Sequence, residues 1–296
     1  MGLMLRELLQ IAENRLALSG CMDPRRDGEL LLLFLLRADR SYLFAHGASV
    51  LDDDRCDMFF SLLDRRADGE PVQYIVGTQD FMGLTFQVDP RVLIPRQDTE
   101  LLAETAIFEL KQKKKMVGAL RLLDLCCGSG ALAVSIACNV PKLEITASDV
   151  SGDALEVAKK NAAAHANSRE IEFIKSDLFD AFPKNKKGEG RKKFDVIVSN
   201  PPYIKTDVLP TLQKEVAVYE PRLALDGGES GLNFYRRILE EVQAFLAKDG
   251  VLLLEIGYDQ AADVTELAQT LCGFQTEVRR DLAGHDRVIV CRAGKD

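Results

Sequence analysis

The sequence predicts an α/β protein in which a small helical domain and a β-hairpin precede a doubly wound, mostly parallel sheet of about seven strands. Three patterns lead to this prediction. Residues 3–67 repeat apolar side chains at helical spacing, residues 73–88 contain two short strand-like runs, and strand-like and helix-like segments alternate from residue 120 onward. We therefore expect an N-terminal helical domain at 1–70, a hairpin linker at 71–96 and a sheet domain at 97–296.

The helical domain begins with apolar residues at positions 5, 8, 9, 12 and 16, which share one helix face. Asp23-Pro24 predicts the start of a second helix that includes 30–36, and 52–67 forms a further amphipathic helix. No strand is expected within 3–67. The runs 73–77 and 81–88 are interpreted as the two strands of the hairpin, and a helix is expected at 99–111.

The sheet domain is expected to alternate strands and helices in chain order. The predicted strands are 120–126, 143–149, 170–175, 194–199, 251–256, 275–280 and 287–291, and the predicted helices are 131–139, 153–166, 232–247 and 260–271. The last two strands have only a short connection, which favours an antiparallel pair at the edge of the sheet.

The bulk composition is that of a globular protein with an acidic balance. The 296 residues include 38 Lys and Arg against 46 Asp and Glu, a net charge of −8. A general nucleic-acid binder usually carries a basic surface, so this balance disfavours that class. The N-terminus lacks the pattern of a signal peptide, and the longest apolar run, 30–36, is too short for a membrane span. We expect a monomeric cytoplasmic protein without a membrane partner.

The cysteine and histidine pattern argues against a metal site. Seven cysteines include no CxxC pair, and the three histidines lie far apart in the sequence. We therefore expect reduced thiols and no bound metal. Two lysine-rich stretches, 111–115 and 184–193, are interpreted as solvated surface segments.

A glycine-containing turn joins the strand at 120–126 to the helix at 131–139. Gly128 and Gly130 let the backbone approach a ligand closely and place amides at the start of the helix. Asp149 ends the next strand, where an acid can accept both hydroxyls of a ribose. Ala133 stands where a dinucleotide fingerprint has its third glycine, and no Gly-Lys-Ser/Thr follows as in a P-loop. The pattern predicts a ligand that contains a nucleoside.

The segment Asp124-x-Cys126-x-Gly128-x-Gly130 resembles motif I of class I S-adenosylmethionine (AdoMet) methyltransferases, with Cys126 at the position of the first glycine. The resemblance implies a Rossmann-like fold, AdoMet as cofactor and S-adenosylhomocysteine as product. It also implies that the loop after the third strand flanks the adenine ring. The cofactor-binding residues expected on this basis are Asp124, Cys126, Cys127, Gly128, Ser129, Gly130, Asp149, Val150, Asp177, Leu178 and Asn200.

Asn200-Pro201-Pro202-Tyr203 directly follows the predicted fourth strand, whose carboxyl end lies beside the ligand in a doubly wound sheet. A planar NH2 group has two hydrogens, and the Asn200 side-chain oxygen and the Pro201 carbonyl offer two acceptors. The proline rings fix φ and aim that carbonyl, and Tyr203 offers a flat face for stacking. These four residues are the expected catalytic and substrate-binding residues. The motif predicts methyl transfer to an amide or exocyclic amine nitrogen, without separating glutamine from adenine or guanine.

Nearly the whole chain resembles the HemK/PrmC family of protein glutamine methyltransferases. The stretches that carry the resemblance are 71–77, 92–100, 199–204, 219–225, 231–236, 255–257 and 281–287. Ile94-Pro95-Arg96 with Asp98-Thr99-Glu100 separates this group from related ribosomal-protein enzymes. The resemblance implies methylation of N5 of the glutamine in the Gly-Gly-Gln motif of class I peptide chain release factors. It also implies that the N-terminal helices help hold the release factor, with no direct nucleic-acid contact.

This sequence departs from the family pattern at a few positions: Cys126 and Cys127 replace a frequent Gly-Thr, Ser230 stands where Asp is frequent, and Leu178 is aromatic in some relatives. Two other functions fit part of the pattern. A nucleic-acid adenine or guanine methyltransferase would need a basic groove, which the composition does not favour. A non-catalytic AdoMet-binding scaffold would not need Asn200-Pro201-Pro202-Tyr203.

Overall fold

The structure, a computed structural model, describes residues 2–113, 119–165, 170–183 and 192–294. Most of the lysine-rich stretch 184–193 and the end of 111–115 lie outside these residues, so the predictions made for them do too. The chain divides into two compact units, Met1–Thr78 with Leu212–Tyr219, and Gln79–Thr211 with Glu220–Asp296. The boundaries expected at 70 and 96 stay a prediction.

The first unit is built from short helices around one apolar core. Its elements are β1 (Leu3–Met4), α1 (Leu5–Leu18), α2 (Pro24–Leu36), α3 (Arg40–His46), β2 (Val50–Leu51), α4 (Asp53–Ala67) and α5 (Val72–Val76). Leu8, Leu31 and Phe59 are fully buried in this core. β1 pairs with β2 in antiparallel register, so the expectation of no strand within 3–67 is wrong. Two-residue strands are too short to leave an alternating pattern in the sequence.

The segment 73–77, predicted as a strand, forms helix α5 instead. The amides of Tyr74 and Ile75 both donate to the Pro71 carbonyl, and Gly77 ends the helix with a left-handed φ of +78°. Pro71 cannot donate to a ladder but suits a helix start. Val72 and Ile75, one helical turn apart, are both buried, so tertiary packing overrides their β-branched preference.

The hairpin therefore begins later than predicted, with β3 (Thr78–Phe81) and β4 (Leu84–Gln87), and α6 (Glu100–Gln112) follows it. The sheet elements are β5 (Leu120–Leu125), α7 (Ala131–Asn139), β6 (Leu143–Asp149), α8 (Gly152–Ala164), β7 (Glu172–Lys175), β8 (Phe194–Ser199), α9 (Asn233–Val242), β9 (Leu246–Glu255), α10 (Ala261–Cys272), β10 (Phe274–Arg280) and β11 (Asp286–Ala293). The helix predicted at 232–247 ends early because Leu246 already pairs with Phe194 of β8.

The seven-stranded sheet has the order β10-β11-β9-β8-β5-β6-β7. β11 runs antiparallel to β10 and β9, and the remaining neighbours are parallel. The predicted fold class is thus confirmed, including the antiparallel pair at the edge. Leu122 and Leu123, adjacent in β5, belong to separate apolar clusters, because helices cover both faces. The strand order reverses between β5 and β8, and ligands bind at such a switch point.

Candidate active site

A cavity with about 740 Å³ of empty space, partly open to solvent, lies at the carboxyl ends of the parallel strands. Eight of the sequence-predicted residues form part of its wall: Cys126, Gly128, Asp149, Val150, Asp177, Leu178, Asn200 and Pro202. The structure thus brings the glycine-containing turn, the acid of β6 and the Asn-Pro-Pro-Tyr loop to one site.

The turn after β5 has three residues with left-handed backbone conformation. Cys126, Gly128 and Gly130 have φ values of +60°, +52° and +77°. A cysteine adopts this conformation only with strain, which explains why glycine suits the first position. A Cβ at Gly128 would meet no atom within 4 Å, whereas one at Gly130 would lie 3.1 Å from the Ala158 Cβ. Gly128 therefore leaves room beside the cavity, and Gly130 allows α7 and α8 to pack closely.

Asp149 uses each carboxylate oxygen once to shape the site. Its Oδ2 accepts the Gly128 amide at 2.9 Å and its Oδ1 accepts the Ser151 amide at 2.9 Å. Burial raises the pKa of Asp149, and these backbone hydrogen bonds partly oppose the shift. A carboxylate has about four acceptor positions, so each oxygen keeps capacity for a further donor. Asp149 can accept two neighbouring hydroxyls while it holds the turn.

Asp124 lies inside the sheet and is not part of the cavity wall. It is fully buried, and its Oδ2 accepts the Ala133 amide at 3.2 Å, which fastens the start of α7 to β5. Burial raises the pKa of Asp124 to about 8, opposed by the Ala133 hydrogen bond and aided by the charge of Asp149. Asp124 therefore supports the turn, and its role as a cofactor-binding residue stays a prediction.

Cys127, Ser129 and Gly130 also lie outside the cavity wall. The Cys127 amide donates to the Ser148 carbonyl at 3.0 Å, and the Ser129 carbonyl accepts from Asn161 Nδ2 at 2.9 Å. Burial raises the pKa of both the Cys126 and Cys127 thiols, so neither is a ready thiolate. These residues shape the turn through their backbone.

The loop after β7 contributes a charged and an apolar wall. Asp177 Oδ2 forms an ion pair with Arg237 at 2.9 Å, and Leu178 has a φ of +48°. Ser176 stabilises this bend because its hydroxyl donates to the Leu178 carbonyl at 2.7 Å. Phe234 also lies on the wall, and the Arg237 guanidinium is 5.7 Å from its ring centre. Phe234 lies within the family-like stretch 231–236, but the sequence pattern predicted no role for its side chain.

The Asn-Pro-Pro-Tyr loop is held by the segment 225–231. Ile204 donates to the Leu225 carbonyl at 3.0 Å, and the Gly227 amide donates back to the Ile204 carbonyl at 2.8 Å. A Cβ at Gly227 would lie 2.7 Å from the Tyr203 Cα, so only glycine permits this contact. Gln260 Nε2 donates to the Tyr203 carbonyl at 3.0 Å. Tyr203 and Ile204 are therefore held by backbone contacts with 225–231 and by the Gln260 side chain.

Within this loop, Asn200 and Pro202 lie on the wall, whereas Pro201 and Tyr203 do not belong to it. Burial raises the pKa of the Tyr203 hydroxyl, and the side chain packs partly against the apolar core. Asn200 is half-buried, and its Nδ2 donates to Thr99 Oγ1 at 3.2 Å. Stacking by Tyr203 and acceptance by the Pro201 carbonyl stay predictions.

The segment that distinguishes the HemK/PrmC pattern is tied to the same region by ion pairs. Arg96 pairs with Glu220, which directly precedes the wall residue Pro221. Asp98 pairs with Arg287 at 3.1 Å, and Arg287 also pairs with Asp281 at 3.1 Å. Other wall residues that sequence reasoning gave no role are Arg91, Val92, Leu93, Leu223 and Ala224. All of them except Arg91 lie within the family-like stretches 92–100 and 219–225.

Within 2–113, 119–165, 170–183 and 192–294, there is no cluster of three or more His, Cys, Asp or Glu side chains that is arranged to hold a metal ion. In the same ranges, no helix is both long and apolar enough to cross a bilayer.

Comparison with known proteins matches both units of the chain. The family model for the PrmC N-terminal domain matches residues 7–77, and that for the methyltransferase small domain matches 99–229. A release factor glutamine methyltransferase from Clostridium botulinum is 38% identical over 267 residues, covering 90% of this chain and 91% of that protein. One from Moorella thermoacetica is 39% identical over 287 residues, covering 97% of each chain.

Among solved structures, one is a release factor-specific protein-(glutamine-N5) methyltransferase from Alicyclobacillus acidocaldarius. It is 32% identical, has a TM-score of 0.42, and the match covers 71% of this chain and all of that one.

Proposed function

This chain belongs to the family of release factor glutamine methyltransferases, and we propose that it methylates the side-chain amide nitrogen, N5, of the glutamine in the Gly-Gly-Gln motif of class I peptide chain release factors. The observation that supports this reaction best is the position of Asn200. Its side chain lies on the cavity wall at the end of β8, with Nδ2 turned toward Thr99. A planar amide has hydrogens to donate, and the Asn200 oxygen would accept one of them.

The cavity residues fit AdoMet as the methyl donor. Asp149 would accept the ribose hydroxyls, Gly128 leaves space for the ligand beside the turn, and Val150, Leu178 and Phe234 offer apolar contact for the adenine. Bound AdoMet supplies an electrophilic methyl group on a sulfonium. The Asp149 carboxylate adds negative charge beside a cationic ligand, which favours its binding, whereas Asp177 is already paired with Arg237.

The task of the protein is to orient the amide nitrogen. The Asn200 oxygen and the Pro201 carbonyl would each accept one of the two amide hydrogens, which turns the nitrogen lone pair toward the methyl group. The contacts of 225–231 hold Tyr203 and Ile204, which follow the two acceptors closely in the chain, so little reorganisation of the loop is needed when the substrate arrives.

We further propose that the first unit binds the body of the release factor as a substrate-recognition domain. Leu18 and Phe44 expose 92% and 88% of their surface, and apolar side chains this exposed suit a protein contact. Phe44→Ala should raise the KM for the intact release factor and leave transfer to a short Gly-Gly-Gln peptide unchanged. An equal effect on both substrates would contradict this role.

The proposed reaction is tested by incubating the purified protein and AdoMet, labelled in its methyl group, with three acceptors. These are a class I release factor, the same factor with its Gly-Gly-Gln glutamine replaced by alanine, and double-stranded DNA. We expect label on the unmodified release factor alone. Equal labelling of the alanine variant would move the site elsewhere, and label on DNA would support a nucleic-acid methyltransferase instead. Label on none of them would leave a non-catalytic scaffold as the better account.

A further inference from the structure

A buried carboxylate lies directly beside the catalytic loop. Ser199, the last residue of β8, pairs with Leu254 of β9, so Asn200 and Glu255 follow at neighbouring strand ends. Glu255 is only 2% exposed and has no part in the amide contacts described above. Such a group is costly to bury unless hydrogen bonds compensate, so its partners indicate what it does.

The partners of Glu255 fix the direction of a short hydrogen-bond chain. The Thr99 and Asn200 side chains lie close enough to the Glu255 carboxylate to hold its pKa down, although Glu255 Oε2 has no hydrogen-bond partner among the described residues, and Asn200 Nδ2 donates to Thr99 Oγ1 at 3.2 Å. An ionised carboxylate only accepts, so the single hydroxyl hydrogen of Thr99 is directed to Glu255. The Thr99 oxygen must then accept from Asn200. Because Nδ2 is directed toward Thr99, the Asn200 oxygen is directed toward the cavity, where it can accept a hydrogen bond.

We propose that Glu255 and Thr99 are positioning residues that fix which end of the Asn200 amide faces the methyl-accepting nitrogen. This inference rests on the proposed function. If the amide of Asn200 turned by half a rotation, its N–H groups would face the N–H groups of the substrate amide. Two donors would then oppose each other, and the substrate nitrogen would lose one of its two acceptors.

The charges around Glu255 set the pH range in which it stays ionised. Burial raises the pKa of Glu255 to about 7, while the Thr99 hydrogen bond and the Arg287 charge oppose the rise and Asp98 adds to it. Tyr203 also faces the carboxylate, and the Tyr235 hydroxyl donates to the Glu255 backbone carbonyl at 2.9 Å. Below this pKa the carboxyl carries a proton and becomes a donor, which reverses the chain through Thr99 and releases the Asn200 orientation.

The first arm of the test compares Thr99→Val with Thr99→Ser in methyl transfer to the release factor. Valine keeps the shape of threonine and removes the hydroxyl, so kcat should fall about tenfold while the KM for AdoMet stays unchanged. Serine keeps the hydroxyl and should restore kcat. The matched control is Thr105→Val in α6, since Thr105 is 2% exposed and its hydroxyl has no hydrogen-bond partner among the described residues. This control should keep the wild-type kcat.

The second arm uses pH. The kcat of the wild type should fall as the pH drops through about 7 and should level off about tenfold lower, the same loss as in Thr99→Val. Glu255→Gln should have a lower kcat than the wild type at pH 8 and no such slope, because glutamine offers a donor at every pH.

The outcomes separate the two claims. If the wild type labels the release factor and Thr99→Val matches it, the positioning role is wrong and the proposed function stands. The same holds if Thr99→Ser is as slow as Thr99→Val, if Thr99→Val loses AdoMet binding, or if Glu255→Gln keeps the wild-type pH slope. If the wild type labels no release factor, the proposed function fails and the inference fails with it.

Discussion

Replacing Asn200 by alanine removes the side-chain acceptor at the end of β8 and leaves the rest of the cavity wall in place. The fold should tolerate the change. Asn200 is half-buried, and the change removes its contacts with Thr99 and Glu255, at about 1 kcal/mol each. The variant should therefore remain folded and bind AdoMet.

The expected effect of Asn200→Ala is on the chemical step. Removing one preorganised hydrogen-bonding group from a reacting centre typically costs about 10²- to 10³-fold in kcat. We expect a loss of this size for the release factor. The dissociation constant for AdoMet should change by less than about threefold, because Asp149 and the turn at 126–130 are untouched.

The assay pairs steady-state methyl transfer with calorimetric titration of AdoMet. Asn139→Ala is the matched control, since Asn139 donates to the Ser135 carbonyl within α7 at 2.9 Å and does not line the cavity. A parallel loss of AdoMet binding and kcat would make Asn200 chiefly a cofactor ligand. A kcat within threefold of the wild type would refute the reasoning altogether.

Three further predictions concern the turn, the buried acid and the first unit. Asp149→Ala should weaken AdoMet binding about 10- to 100-fold by calorimetry, because two hydroxyls lose a charged acceptor; a change below threefold contradicts this. The pKa of Asp124 in the folded protein is raised to about 8. The contribution of Asp124 to the free energy of unfolding is therefore fully present below its pKa in the unfolded chain and is lost as the pH rises through 8. Asp124→Asn should therefore gain stability over the wild type between pH 5 and 8.5 in thermal unfolding, and a pH-independent difference would exclude this. Arg66, only 6% exposed, pairs with Asp27 at 2.6 Å and Glu215 at 2.7 Å. Arg66→Met should lower the free energy of unfolding by about 3–5 kcal/mol in urea, whereas Arg65→Met, whose pair is partly exposed, should cost at most about 1 kcal/mol; equal losses would contradict the buried-pair account.

The sheet could be predicted because its signals are local and repeated. Helices lie between most of the strands from β5 to β11, and the short link between β10 and β11 favoured an antiparallel pair. The strand predicted at 73–77 is wrong. Its β-branched residues favour a strand, but the position after Pro71 and the burial of Val72 and Ile75 stabilise a helix instead. This preference for a helix depends on tertiary packing, which cannot be deduced from a short segment of sequence.

Site residues that belong to a sequence motif could be predicted, whereas residues that reach the site only through contacts made in the fold could not. Asp149, Gly128 and Asn200 stand at strand ends with recognisable spacing, and the structure places them on one cavity wall. Asp124 belongs to the same motif, yet it points inside the sheet and holds Ala133. The sequence places Glu255 near the end of a predicted apolar strand and indicates no role for it. Its place beside Asn200 follows only from the pairing of β8 with β9.

The central claim is that Asn200 and the Pro201 carbonyl hold one glutamine amide, and a crystal structure of the protein with S-adenosylhomocysteine and a Gly-Gly-Gln peptide tests it most directly. We expect the glutamine side-chain nitrogen at about 3 Å from both Asn200 Oδ1 and the Pro201 carbonyl oxygen. The nitrogen should face the sulfur of the product. A glutamine bound through its oxygen to Asn200, or bound away from β8, would contradict the account.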